Sequence, residues 1–132
     1  MRFSPQQLRR FDDVLHQVLD ELPRELLELF DEIPLVVEDR PSPRIIRELH
    51  LGRGVTLQGL HSGIPLTERS VMHSGTLPTV ITIYREGILH AAGRGRHISD
   101  EALRREIRVT ILHELGHHFG MDEDNLREYG YG

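Results

Sequence analysis

The chain has 132 residues, which fits a single domain, residues 1–132, long enough to bury about two thirds of the surface its unfolded form exposes. It has no cysteine and all 16 of its basic residues are arginine, so disulfides, thiolate metal sites, a cysteine nucleophile, a Schiff-base lysine and the lysine of a phosphate-binding loop are excluded. A formal net charge of -5 argues against nucleic acid as a partner, and no run of about 20 apolar residues is present to span a membrane.

Met1 to Arg10 is polar and basic with no apolar core behind it, so no export leader is read there and a cytoplasmic location is the expected default. Ser4, Pro5 and Gln7 have the pattern of a helix start, with Ser4 as N-cap, Pro5 at the first helical position and Gln7 completing a capping box. Leu8, Phe11, Leu15, Val18 and Leu22 then recur every three or four residues and predict an amphipathic helix. His16 stands on the shoulder of that stripe with no partner at helical spacing, and reads as a packing or surface residue. Pro23 opens a second short helix through Phe30, with Leu26, Leu27 and Phe30 turned inward.

Ile33 to Glu38 is apolar and β-branched and predicts a first buried strand, ended by the turn cluster Pro41, Ser42, Pro43. A second strand is expected within Gly52 to Leu60, closed by a loop marked by Gly63 and Pro65. Thr79 to Tyr84 is the clearest strand, and Gly87 is expected to separate it from a short partner at Ile88 to Ala91. Ala92 to His97 predicts a mobile surface loop. Arg94, Arg96, Arg104, Arg105 and Arg108 form a local basic cluster, read as a solvated face.

The last long helix is predicted from Ser99, a good N-cap followed by Asp100 and Glu101 at the positive end of the helix dipole. Leu103, Ile107, Ile111 and Leu115 supply its buried stripe, and Gly120 ends it. On the neighbouring face stand His113, Glu114 and His117, an HExxH pattern. Residues four apart on a helix are separated by about 6 Å along the axis and roughly 40° around it, so both imidazoles point at one spot. Zn²⁺ accepts neutral imidazole nitrogens and commonly takes four ligands in all; His113, His117, a third protein ligand and one open position make a catalytic site. Glu114 projects beside the metal and suits a general base. The third ligand has to come from chain that turns back past Gly120, where Asp122, Glu123 and Asp124 stand. His118 is turned by about 100° from His117 and cannot share its face. Asp122 also suits the N-cap of a final short helix, Glu123 to Glu128.

These features resemble the small bacterial zincin-like metallopeptidases, minimal relatives of the metzincins. The likeness includes His113 to Gly120, then Gly59, Leu60, Gly63, Pro65, Leu66, Thr67, Arg69 and Ser70, the strand Ile81 to Tyr84, and the ending Leu126 to Tyr129. It implies an α+β, minimal zincin-like fold in which a small mixed β-sheet packs against N-terminal helices and the HExxH helix. It further implies a zinc cofactor, peptide or protein substrates, and Glu123 at the spacing of the metzincin third ligand. Two positions depart from the family's habit: Glu123 stands where Asp is common, and His61 stands where an aromatic residue is usual.

Metal-assisted peptide hydrolysis is therefore the leading reading, with Glu114 as catalytic base and His113, His117 and Glu123 as metal ligands. Its rivals are a catalytically silent zincin-fold module that binds peptides or proteins, and a purely structural zinc site. The intact Glu114 opposes the first, and the open coordination position opposes the second. Thr79 to Tyr84, if placed at the sheet edge beside the helix, would align an extended substrate. Tyr129, Tyr131 or an arginine are the remaining candidates for oxyanion contact.

Overall fold

The structure, a computed structural model describing residues 3–52, 56–63, 79–93 and 97–118, begins with helix α1 (Pro5–Glu21). Ser4 Oγ accepts the Gln7 backbone N–H at 3.1 Å, and the Ser4 N–H donates to Gln7 Oε1 at 2.8 Å. This reciprocal cap satisfies two donors that the first helical turn leaves without partners. Phe11, Leu15, Val18 and Leu22 are buried as the periodicity predicts, joined by Val14, while Leu8 is half-buried and His16 is exposed.

Helix α2 (Arg24–Leu29) follows Pro23, and Leu26, Leu27 and Phe30 rest against the core. The first strand, β1 (Leu35–Glu38), is shorter than Ile33 to Glu38. Ile33 is buried, but its N–H bonds back to the Leu29 carbonyl and so belongs to the turn leaving α2. The Pro41, Ser42, Pro43 cluster does more than end a strand. Ser42 Oγ accepts the Ile45 N–H at 3.2 Å and Pro43 opens helix α3 (Pro43–Glu48), a repeat of the Ser-Pro start used by α1.

Strand β2 (Gly59–Gly63) begins near the C-terminal end of the stretch Gly52 to Leu60 expected to hold it. Strand β3 (Thr79–Tyr84) has the predicted bounds, and its Ile81, Ile83 and Tyr84 are buried. The sheet order is β1-β3-β2, with β1 parallel and β2 antiparallel to β3. Thr79 to Tyr84 is thus the central strand and not an edge. Side chains of both parities are buried along it, which is how a strand covered on two faces reads in sequence.

The expected strand Ile88 to Ala91 is instead part of helix α4 (Arg85–Gly93). Gly87 does not serve a hairpin turn. A Cβ there would stand 2.1 Å from the Leu57 carbonyl oxygen, so glycine is what lets the chain leading into β2 lie against the helix. Arg85 fixes the start of α4 by a two-pronged bond to Asp12 of α1 (2.8 and 3.2 Å) and a third to Asp39 at 3.0 Å. Arg40 pairs with Glu86 beside it.

Helix α5 (Asp100–His118) is capped by Ser99, whose Oγ accepts the Ala102 N–H at 3.1 Å. Leu103, Ile107, Ile111 and Leu115 are buried as predicted, and α5 packs against α1, α4, β2 and β3 at once. Of the arginine cluster, Arg105 and Arg108 are exposed, whereas Arg104 is half-buried and donates to Gln17 of α1 at 2.9 Å. Arg94 and Arg96 lie outside the described residues. Five helices and a small mixed sheet make an α+β arrangement among the described residues.

Candidate metal centre

The buried stripe of α5 sets its rotation about its own axis, and that rotation decides where the HExxH side chains point. With Ile111 and Leu115 turned into the core, His113 and His117 come out half-buried on the adjoining face. Their Nε2 atoms lie 2.8 Å apart, with ring centroids 4.4 Å apart and planes crossed at 82°. Two imidazoles bound tetrahedrally at about 2.0–2.1 Å would hold their nitrogens about 3.3 Å apart, so a small opening of the pair admits a zinc ion. The donor set is neutral nitrogen, which suits zinc.

Glu114 is half-buried and lines a cavity of about 350 Å³ together with His113, Thr110, Gly59 and Gln58. Strand β2 passes close here. A Cβ on Gly59 would stand 2.9 Å from Thr110 Cγ2 and 3.2 Å from Glu114 Cγ, so glycine permits the strand to approach the helix at the level of the carboxylate. The other wall is held by Gln58, whose Nε2 donates to Glu106 Oε2 at 3.1 Å and Thr110 Oγ1 at 3.3 Å.

His118 does not join the His113 and His117 pair, as its turn of the helix dictates. Its Nδ1 lies 3.1 Å from Nε2 of His61 on β2, and the two rings meet edge to face at 5.1 Å. Burial lowers the His61 pKa from its ordinary value, and the charges of His118 and His117 lower it further. Sequence reasoning did not bring His61 to the helix, because the contact joins residues 57 apart and leaves no local pattern. The face shared by Glu106, Thr110, His113, Glu114 and His117 was open to the same reasoning, since these positions recur at helical spacing.

Gly120, Asp122, Glu123, Asp124, the proposed helix Glu123 to Glu128, Tyr129 and Tyr131 lie outside the described residues, as do Pro65, Leu66, Thr67, Arg69 and Ser70. Among the described residues no group of three or more histidine, aspartate or glutamate side chains gathers as a metal cage. Of the expected site residues, the described part of the chain contains the imidazole pair with the carboxylate beside it.

The family model for zincin-like metallopeptidases matches residues 30–131. The chain belongs to that family. Comparison with curated proteins gives no match. For a zincin-like metallopeptidase the α+β arrangement is the minimal form of the fold, with the HExxH helix packed on a small mixed sheet. Membership supports a zinc-using hydrolase that acts on peptides. No helix among the described residues of this zincin-like chain is long and apolar enough to cross a membrane.

Proposed function

We propose that the protein is a zinc-dependent peptidase whose metal is held by His113, His117 and Glu123, with Glu114 as general base. The observation that carries this reading is the convergence of the His113 and His117 Nε2 atoms at 2.8 Å, beside a cavity lined by Glu114. Zinc, when bound, supplies a Lewis acid that polarises the scissile carbonyl and makes water more acidic. Glu114 takes the proton of the attacking water and returns it to the leaving amine, so one carboxylate serves as base and then as acid. Its half-burial and its place against Gly59 keep it on the cavity side of the helix.

Strand β2, not β3, is the candidate platform for an extended substrate. It has one strand partner among the described residues, and it runs beside Glu114. A substrate laid along its outer side would gain main-chain hydrogen bonds and present its bond to the carboxylate.

The test compares metal content and peptide cleavage in the native chain, Glu114→Ala and His117→Ala. Glu114→Ala is expected to lose about 10² to 10⁴ in turnover with its metal retained, and His117→Ala to lose both. Equal cleavage by all three would remove the proposal, and metal retention without cleavage by the native chain would favour a binding module.

A further inference from the structure

The cavity beside Glu114 has a second carboxylate at its far end. Glu106 stands on the same face of α5 as Thr110, His113 and Glu114, seven residues before His113 and therefore about 10 Å away along the helix axis. We propose that this cavity receives a cationic side chain of the substrate and that Glu106 selects it, an inference that rests on the peptidase reading above.

The local bonding explains how the Glu106 side chain is aimed. The Gln58 amide donates to Glu106 Oε2 at 3.1 Å and to the Thr110 hydroxyl, and that hydroxyl donates to the Glu106 carbonyl oxygen at 2.7 Å. These partners orient the side chain and are themselves neutral. Among the described residues no ion pair includes Glu106, and no arginine lines the cavity. Arg105, the residue before it, lines a separate depression bounded by Ala91, Ser99 and Ala102, which Glu106 also borders.

A half-buried carboxylate whose partners among the described residues are neutral discriminates by charge. An acidic side chain would meet both Glu106 and Glu114 and be repelled. An apolar one would strip water from Glu106 and offer no bond in return. A short polar one would not span the distance from the scissile bond. Arginine and lysine reach it with a long apolar stem and place a donor head against the acid, arginine with two parallel bonds.

The experiment uses zinc-loaded full-length protein carrying Glu114→Ala, which binds without cutting, and fluorescence anisotropy of labelled peptides that differ by Arg, Gln or Glu at one position at a time. At one position Arg is expected to bind about tenfold more tightly than Gln, and Glu more weakly than either. Adding Glu106→Gln, which keeps an oxygen for the Gln58 amide, should erase the Arg advantage while leaving the Gln peptide bound as before. That unchanged affinity also reports an intact fold. Peptides bound with no charge preference, or with one that survives Glu106→Gln, overturn this inference alone. Failure of every peptide to bind the zinc-loaded protein, together with no cleavage by the native chain, overturns the peptidase reading with it.

Discussion

Gly59 lies against the carboxylate proposed as general base without carrying a functional group itself. A methyl group at this position would stand 2.9 Å from Thr110 Cγ2 and 3.2 Å from Glu114 Cγ, inside ordinary contact distance of both. Gly59→Ala should therefore displace the carboxylate while leaving His113 and His117 where they are. The expected result is a fall in kcat of tenfold or more, roughly the scale seen when a catalytic group moves by a fraction of an ångström to an ångström, with zinc content unchanged. Native kcat in the variant would show that Glu114 is not placed by this contact. The HExxH pair and the carboxylate between its histidines were legible from spacing alone, because a helix converts a four-residue interval into a shared face. His61 was not legible. It reaches His118 only because β2 folds against α5, and that pairing is tertiary.

The elements show where local pattern is decisive and where it is not. Ser4 and Ser99 cap α1 and α5 as their sequences predict, and the apolar stripes of both helices are buried at the predicted residues except Leu8, which is half-buried. These signals lie within one or two turns of chain. The segment after β3 was misread because Gly87 next to a β-branched strand resembles a hairpin turn, whereas its glycine answers to Leu57, thirty residues earlier in sequence. The clash at Gly87 is with backbone, which cannot swing aside like a side chain. Gly87→Ala should cost about 3 kcal/mol of stability by forcing α4 away from residues 57 and 58, seen as a lower urea midpoint. A midpoint within error of the native value would mean that α4 does not hold this close approach in solution. Because the same stretch of chain leads into β2, the variant should also lose cleavage in proportion to the native fraction. The strand order, with Thr79 to Tyr84 in the centre, could not be read from composition. A central strand and a buried edge strand have the same β-branched signature.

At the scale of the molecule, α5 is the element on which two helices and two strands converge. It packs on α1, α4, β2 and β3, while its Glu106, Thr110, His113 and Glu114 line the cavity against β2. Arg85 draws Asp12 of α1 and Asp39 beyond β1 to the start of α4, so the supporting elements are tied together there. A rigid helix in a packed setting is a suitable carrier for a centre that has to hold two nitrogens and a carboxylate in register. The α+β class followed from sequence, and so did the shared face of His113 and His117, because one long amphipathic helix carries both. The most direct test of the central claim is zinc stoichiometry by elemental mass spectrometry, on native protein stripped with chelator, returned to neutral pH with equimolar zinc and desalted. One zinc per native chain, lost in His113→Ala and in His117→Ala, is the expected result. A correctly folded native chain that retains no zinc, or one whose zinc survives both substitutions, would contradict the claim that these imidazoles hold the catalytic metal.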